Sequence, residues 1–338
     1  MKKNKINILD CTLRDGGYVN NWEFETETAK NIIEGLYKSG VRHIELGLLG
    51  EGGIPGNSTK FANFDQLKPL LENKKQDCSY VLLINQADAK KFEIPFKDEN
   101  TVDLIRIAYF KNELPDALIF AEELKNKGYK VFMQAMATFL YSDEELVDMI
   151  MKINELNPSA FYIVDSFGNM YPEDIRSLTN KVLAVLNENI EYGLHAHNNI
   201  QMGYANVIEF LSTSTSRNLY VDGSIYGMGR GAGNVPIELI MEYLNKKERI
   251  YNITTILEVY QNELSPIFAQ YFWGYTHPYY ITASRDTNSV YSWYFTNNGI
   301  TDVALLVDAI DSVSNENKYT LVRSEAQEIL HNIKMGGK

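Results

Sequence analysis

The chain has 338 residues, of which 45% are hydrophobic and 22% are charged, and its formal net charge is -12. This length suits one barrel of roughly 250 residues with an additional segment. The apolar content is sufficient for a packed core. Nucleic acids and anionic membranes attract basic surfaces, so the acidic balance disfavours both as partners and favours a small-molecule substrate.

Cysteine usage and the N-terminal segment predict a cytoplasmic protein. Cys11 and Cys78 are the only cysteines, and two thiols cannot build the disulfide framework of a secreted domain. No apolar stretch precedes Asp10, and no run approaches the ~18 apolar residues of a membrane span. We therefore expect neither a signal peptide nor a membrane segment.

Short apolar runs alternate with longer helical patterns as far as about residue 247. The runs predict eight strands, at 6–9, 43–47, 80–84, 104–108, 131–135, 160–164, 192–195 and 219–222. Between them, apolar residues recur at spacings of three and four, which predicts helices that include 25–39, 113–127, 142–156, 172–186 and 200–212. Strict alternation implies parallel strands, and a closed (β/α)₈ TIM barrel is the common solution at this length.

An open, doubly wound sheet is the alternative fold. It favours a glycine-rich dinucleotide-binding turn after the first strand. Residues 12–17 read Thr-Leu-Arg-Asp-Gly-Gly at that place and do not match such a turn. The sequence therefore favours the barrel.

The alternation of strands and helices ends at about residue 247. Beyond it the sequence predicts only helices, the first of them over 256–272. We predict a TIM-barrel catalytic domain over residues 1–247 and a small helical C-terminal extension over residues 248–338. Residues 273–280 contain an aromatic cluster too dense for a free surface. The cluster predicts either that the extension covers the barrel mouth or that it forms a core between extension and barrel.

Polar residues gather where the predicted strands end, which is where the active sites of this barrel lie. Two glycines after the first strand let backbone approach a ligand. The candidates for substrate binding at these strand ends are Gly16, Gly17, Glu45, Arg106, Gln134 and Asp165.

His195 and His197 lie two residues apart on an extended segment, so both imidazoles point to one face. With Asp15 from a neighbouring strand end they would offer two nitrogens and one oxygen to a divalent metal and leave positions open for substrate. The alternative is that one histidine caps a helix and the other lies in the core. Arg14 beside Asp15 could form an ordinary surface ion pair, but its place at the end of the first strand, before two glycines, suits charge stabilisation better.

Three segments together resemble a known family. Residues 9–16 read L-D-C-T-L-R-D-G, residues 195–198 read H-A-H-N with Gly203 beyond, and residues 229–234 read G-R-G-A-G-N with Glu238 beyond. In this order they resemble the metal-dependent carbon-carbon lyase and synthase barrels, which include 4-hydroxy-2-oxovalerate aldolase, 3-hydroxy-3-methylglutaryl-CoA lyase and 2-isopropylmalate synthase. The resemblance covers roughly residues 6–245.

The resemblance implies roles for individual residues. It implies that Asp15, His195 and His197 hold the metal, and that Asn234 reaches it as in some members. It also implies that Arg14 stabilises the developing enolate. The family favours Mn²⁺ or Mg²⁺, while the imidazoles also permit Zn²⁺ or Fe²⁺.

Departures from the family pattern favour its aldolase branch. Synthases usually follow Arg-Asp-Gly with Glu-Gln, whereas this chain has Gly17-Tyr18, and the catalytic cysteine of the CoA lyase is absent after Met228. The resemblance therefore implies cleavage or formation of a 4-hydroxy-2-oxo acid from a pyruvate enolate and an aldehyde. Aldolases carry a histidine near position 18 as the base, so Tyr18, His277 and a water on the metal remain the candidates here.

Two other functions remain open at this point. One is an acyl-CoA-dependent synthase of the isopropylmalate synthase type, and the other is a catalytically inactive metal-binding barrel. The expected ligands are a 2-oxo acid and an aldehyde, and a homodimer and a partner dehydrogenase are the protein partners left open.

Overall fold

Eight parallel strands close into a barrel in the computed structural model, which describes residues 5–336. Each barrel strand pairs with the next around the ring, and pairing of the first strand with both the second and the last closes it. The predicted TIM barrel is therefore confirmed. The strands are β1 (Ile6–Asp10), β2 (His43–Leu49), β3 (Lys60–Phe61), β4 (Ser79–Asn85), β5 (Leu104–Tyr109), β6 (Lys130–Ala135), β7 (Ala160–Asp165), β8 (Glu191–Ala196) and β9 (Leu219–Gly223).

Strand β3, which is additional to the eight strands of the barrel, was not predicted. It is only two residues long and pairs in parallel with the end of β2 outside the ring. Thr59, just before it, donates from Oγ1 to the carbonyl of Leu13 at 2.6 Å. The β2–β3 loop is thus joined to the loop after β1 at the barrel mouth.

Helices surround the barrel and continue beyond it. Those of the barrel are α1 (Gly17–Asn20), α2 (Thr26–Ser39), α3 (Lys68–Leu71), α4 (Leu114–Asn126), α5 (Asp143–Leu156), α6 (Pro172–Val185), α7 (Gly203–Leu211) and α8 (Ile237–Asn245). Later in the chain follow α9 (Ile253–Val259), α10 (Ser265–Gln270), α11 (His277–Ala283), α12 (Val290–Asn297), α13 (Val303–Asp311) and α14 (Arg323–Gly336). Within residues 5–336, no helix combines the length and apolar character needed to cross a membrane.

The helix predicted over 256–272 is interrupted in the structure. A π-helical turn, Tyr260–Leu264, separates α9 from α10, and Pro266 lies in the first turn of α10. Proline has no amide hydrogen to donate to the preceding turn, so a continuous α-helix cannot run through this position undisturbed. The periodicity alone did not reveal the break.

The barrel interior is layered. Strand β5 is buried along its whole length, as expected where helices cover a sheet that has closed on itself. Its alternate residues Leu104, Arg106 and Ala108 lie in successive layers. Leu104 belongs to an apolar cluster with Phe132 and Tyr162, whereas Arg106 pairs with carboxylates from other strands. A layer of charged side chains therefore lies nearer the C-terminal end of the barrel than the layer of apolar side chains.

The C-terminal helices contain a second core. Ile281, Tyr291, Phe295, Leu306 and Ile310 form a cluster separate from that of the barrel. By contrast, Ile256, Leu264 and Trp273 pack into the barrel's own core. The domain boundary after residue 247 stays a prediction.

The extension lies over the barrel mouth. The Trp273 indole donates to the carbonyl of Tyr226 at 2.9 Å. The rings of Phe167, after β7, and Tyr319 stack with centroids 6.1 Å apart. Of the two interpretations of the aromatic cluster, the structure supports both in part, because Trp273 is buried and yet, with Tyr279, lines a cavity described below.

His43, at the start of β2, is a partly buried titratable group at the opposite end of that strand from the mouth. Its ring lies edge-on to Tyr220 at 5.0 Å, and its Nδ1 has no hydrogen-bond partner within the described part of the chain. Burial, with the charges of Lys5 and Lys130, lowers the pKa of His43 from 6.5 to about 4. The unfolded chain therefore takes up a proton near pH 6.5, while the native state does so only near pH 4.

Stability should consequently fall as the pH drops below 6.5. Between pH 7 and pH 5 we expect the native protein to lose up to about 2 kcal/mol more free energy of unfolding than His43→Gln, which cannot take up this proton. Urea denaturation at both pH values measures the difference. Equal losses in the two proteins would show that His43 titrates normally in the native state.

Candidate active site

Three candidate metal ligands meet at the C-terminal mouth of the barrel. Asp15 lies in the loop after β1, His195 lies in β8 and His197 directly follows that strand. One ligand atom from each lies within 4.8 Å of the other two, and all three residues are at most 5% exposed. The two imidazole rings are 4.9 Å apart. The structure therefore brings together the three residues that the sequence singled out.

Hydrogen bonds fix the orientation of both imidazoles. Nδ1 of His195 lies 2.8 Å from Oδ2 of Asp222, and Nδ1 of His197 lies 3.1 Å from the carbonyl of Asp165. Both partners can only accept, so each Nδ1 carries the hydrogen and each Nε2 presents a lone pair. Nε2 of His197 is buried and faces Oδ2 of Asp15 at 3.4 Å, but it has no hydrogen-bond partner among the described residues. Such an orphaned acceptor fits a metal ligand.

The ionisation states suit a cation. Burial lowers the pKa of His195 to about 4, which more than offsets the opposing effect of Asp222. Burial alone would raise the pKa of Asp15, but Arg14 and the two histidines hold it well below its usual range. At neutral pH the group thus offers a neutral imidazole beside a carboxylate, as metal binding requires.

Asn234 adjoins this group. Its amide nitrogen donates to Oδ2 of Asp15 and to the carbonyl of Met228, both at 2.9 Å. Its Oδ1 is buried without a partner within residues 5–336. With a carbonyl oxygen left free beside the carboxylate, the position is compatible with the ligand role expected for Asn234.

A buried series of alternating charges links Asp15 to the partner of His195. Arg14 contacts Asp15 through Nη1 and Glu45 through Nε, the latter at 2.7 Å. Arg106 donates to Glu45 at 3.2 Å and also pairs with Asp222. Because each charge is matched by its neighbours, the array can be buried and can hold the candidate ligands rigidly.

Comparison with known proteins identifies the family. A family model described as HMGL-like matches residues 5–261, a range that includes all of these site residues. The chain belongs to the HMGL-like family. A buried group of one aspartate and two histidines is consistent with the divalent-metal site typical of that family.

Distant relatives of this HMGL-like protein carry two kinds of name. It is 28% identical over 249 residues to 4-hydroxy-2-oxovalerate aldolase 2 of Comamonas testosteroni, covering 71% of this chain and 69% of that protein. It is 25% identical over 245 residues to oxaloacetate decarboxylase of Mycobacterium tuberculosis, covering 71% and 70%. The N-terminal domain of a candidate aldolase from Bacteroides vulgatus superposes with a TM-score of 0.74 at 24% identity, covering 88% of this chain and 99% of that one.

Gly16 and Gly17 allow the loop after β1 to pack closely on itself. A Cβ on Gly16 would lie 2.1 Å from the carbonyl oxygen of Thr12, and one on Gly17 would lie 2.0 Å from the ring of Trp22. Protein atoms thus already occupy the space beside both residues. Their contact with substrate stays a prediction. The close packing of the loop by itself explains why both positions are glycine.

Four other expected substrate-binding residues are buried. Glu45 and Arg106 are fully buried in the ion-pair series. The carboxylate of Asp165 accepts from the amides of Asn169 and Met170 at 3.0 and 3.3 Å, and burial raises its pKa to about 6. The side-chain amide nitrogen of Gln134 has no acceptor within the described residues. Nε of Arg106 likewise has no acceptor there, so Gln134 and Arg106 each keep an unbonded donor.

The two candidate bases lie in different places. Tyr18 is 40% exposed, and the guanidinium of Arg230 lies 5.6 Å from its ring centre. His277 is exposed at the start of α11. A cavity of about 1080 Å³ between the mouth and the extension is lined by Tyr18 and not by His277. Although part of its side chain is exposed, desolvation by the surrounding protein raises the pKa of Tyr18 from its ordinary value.

Asp222 is the residue that reasoning from sequence missed. It lies in β9 and orients His195 from the next strand of the barrel. Its pKa is lowered because Arg106 and His195 outweigh the effect of burial. An aspartate within the apolar strand 219–222 was the signal that could have found it.

Proposed function

We propose that this protein is a divalent-metal-dependent aldolase-type lyase that cleaves or forms a carbon-carbon bond in a 4-hydroxy-2-oxo acid. The observation that carries the proposal is the buried group of Asp15, His195 and His197, with both Nδ1 atoms engaged and Nε2 of His197 free. The group lies beneath a cavity large enough for an organic substrate. The relative named 4-hydroxy-2-oxovalerate aldolase supports this substrate class.

Asp15, His195 and His197, with Asn234 beside them, would hold the ion. Mn²⁺ or Mg²⁺ is the proposed metal, with Zn²⁺ as the alternative that the imidazoles allow. When bound, the ion would supply Lewis-acid stabilisation of the negative charge that develops on the 2-oxo oxygen.

The chain's own residues would supply charge and proton transfer. Nε and Nη1 of Arg14 are engaged by Glu45 and Asp15, while its Nη2 makes no hydrogen bond within residues 5–336. We assign this nitrogen to the developing enolate oxygen. Tyr18 lines the cavity and is proposed, in preference to His277, to relay the proton of the 4-hydroxyl. Because its pKa is raised, its hydroxyl would take that proton only as it releases its own to solvent in the cavity. Glu45 and Arg106 act as positioning residues.

One experiment tests the reaction class directly. Protein with Mn²⁺ or Mg²⁺ and pyruvate in deuterated water should exchange the methyl protons of pyruvate, as followed by proton NMR, because enolisation needs no aldehyde. Absence of exchange would contradict the proposal and favour a metal-binding barrel without catalysis. Release of free thiol from acetyl-CoA would favour a synthase instead.

Decarboxylation of oxaloacetate is the second candidate reaction, because one relative carries that name at 25% identity. Loss of carbon dioxide from oxaloacetate leaves the same pyruvate enolate that aldol cleavage leaves. Aldol cleavage differs in needing a group that takes the hydroxyl proton. Tyr18→Phe should therefore impair aldol cleavage far more than decarboxylation, and equal losses would remove Tyr18 from proton transfer.

Asp222→Asn tests the support of the proposed ligands. The substitution removes the charge that orients Nδ1 of His195 and pairs with Arg106. Loss of such a supporting partner typically weakens metal binding by roughly 10- to 100-fold. Titration of Mn²⁺ into the metal-free protein measures this change.

Asp311→Asn is the matched control, because it also breaks an arginine-aspartate pair, with Arg285 at 2.6 Å, but in the extension. Its affinity for Mn²⁺ should equal that of the unmodified protein. If Asp222→Asn folded normally and bound Mn²⁺ with unchanged affinity, Asp222 would serve only the packing of the barrel.

A further inference from the structure

We propose that the aldehyde partner of this enzyme carries an aromatic or similarly flat apolar group, in place of the short alkyl group of acetaldehyde. The inference rests on the proposed aldolase function and specifies its substrate. It comes from the cavity between the barrel mouth and the C-terminal helices, which the metal ligands do not line.

The first argument is size. The cavity has a volume of about 1080 Å³, whereas ligand sites for drug-sized molecules occupy about 300–1000 Å³. Pyruvate and acetaldehyde together would fill only a small part of it. Such a space is useful for catalysis only if the substrate extends well beyond its reacting carbons.

The second argument is the chemistry of the lining. All three tryptophans of the chain, Trp22, Trp273 and Trp293, line this one cavity. Trp293 is 56% exposed and Phe272 is 65% exposed. Large aromatic surface left accessible inside a concave site is typical of a binding site for an apolar ligand. Flat rings of this kind favour a flat partner.

The third argument is continuity with the reacting centre. The amide of Arg230, a lining residue, donates to Oδ2 of Asp15 at 3.3 Å. The indole of Trp22, on the same cavity, donates to the carbonyl of Arg14 at 2.7 Å. A 2-oxo acid held at Asp15 would therefore extend its C4 substituent into the aromatic space.

The charges of the lining argue against a phosphorylated acceptor. Glu23, Asp88 and Glu113 bring three carboxylates to the cavity, against the two guanidiniums of Arg230 and Arg323. Phosphate groups favour clustered basic residues or helix N-termini. The mixed charge leaves the aromatic rings as the main recognition surface.

The test compares 4-hydroxy-2-oxo acids whose C4 substituent is methyl, phenyl, indolyl or polyhydroxyalkyl. Cleavage is followed by pyruvate release at saturating Mn²⁺. We expect kcat/KM for the phenyl and indolyl substrates to exceed that for the methyl substrate by at least about tenfold, as apolar pockets discriminate by size. Preference for the methyl or the polyhydroxyalkyl substrate would overturn the inference.

A pair of variants ties the preference to the cavity. Trp293→Ala should reduce the ratio of kcat/KM for phenyl over methyl by about five- to tenfold, since an apolar contact surface is removed. Trp293→Phe should recover most of it. Tyr275→Ala is the matched control, because Tyr275 is a 52% exposed aromatic of the extension that does not line the cavity. An unchanged ratio in Trp293→Ala would contradict the proposal.

The two proposals fail in different ways. If pyruvate shows no metal-dependent proton exchange, the aldolase function itself is wrong. If exchange occurs and hydroxy acids are cleaved but the aromatic ones are not preferred, the function class stands and the inference about the acceptor is wrong. If exchange occurs but no hydroxy acid is cleaved, both proposals are wrong and decarboxylation is the reaction to test.

Discussion

Replacing both His195 and His197 by alanine is expected to abolish binding of the proposed divalent ion and with it the proposed lyase activity. Both imidazoles are oriented by hydrogen bonds at Nδ1, and one carboxylate cannot replace two lost nitrogen ligands. Loss of a supporting partner alone costs roughly 10- to 100-fold in affinity, so loss of both ligands should exceed about 100-fold. Metal analysis of protein purified without chelator, and titration with Mn²⁺, measure the change.

Two further variants serve as controls, so that loss of the ion is not mistaken for an effect of misfolding. Asp15→Asn keeps the volume of the side chain but removes its charge, and should also lose the ion. His277→Ala with His331→Ala removes two exposed histidines far from the triad and should leave the metal content unchanged. Equal metal content in the His195/His197 double variant and the unmodified protein would eliminate the proposed site.

The barrel was predictable because its strands are short, apolar and separated by helices of ordinary length. Each of the eight predicted runs lies within or coincides with an observed strand. The strand Lys60–Phe61 was not predictable, because two residues show no periodicity. The break before Pro266 was predictable in principle, but the apolar spacing on either side obscured it.

The site was predictable only where residue type alone points to its chemistry. His195 and His197 were singled out because two histidines two residues apart at a strand end suit a metal ion, and the structure brings both together with Asp15. Glu45 and Arg106 were instead expected to contact substrate, although the structure pairs them with each other. Which strands face each other across the barrel decides such pairing, and no local pattern in the sequence records it. An aspartate within an apolar strand did mark Asp222 as unusual, but its pairing with His195 on another strand is not recorded in any local pattern.

Arg14 is expected to matter for the reaction more than for metal affinity. A guanidinium is always positively charged and cannot be a metal ligand. Its Nε and Nη1 are held by Glu45 and Asp15, so the side chain is fixed with Nη2 left over. Loss of a donor to developing negative charge costs roughly 3 to 4 kcal/mol of barrier, or a hundredfold to a thousandfold in kcat.

Arg14→Ala and Arg14→Lys, assayed by pyruvate release at increasing Mn²⁺, separate this role from a purely structural one. Lysine keeps the charge but can reach only one of the two carboxylates, so Arg14→Lys should be impaired less than Arg14→Ala. Thermal unfolding of both variants checks the fold, because Glu45 is then left with Arg106 alone. If Arg14 merely orients Asp15 through their ion pair, metal affinity and activity should fall together, and activity should return at saturating Mn²⁺. We expect the loss in kcat to persist at saturation, because the donor that the enolate needs is still missing there.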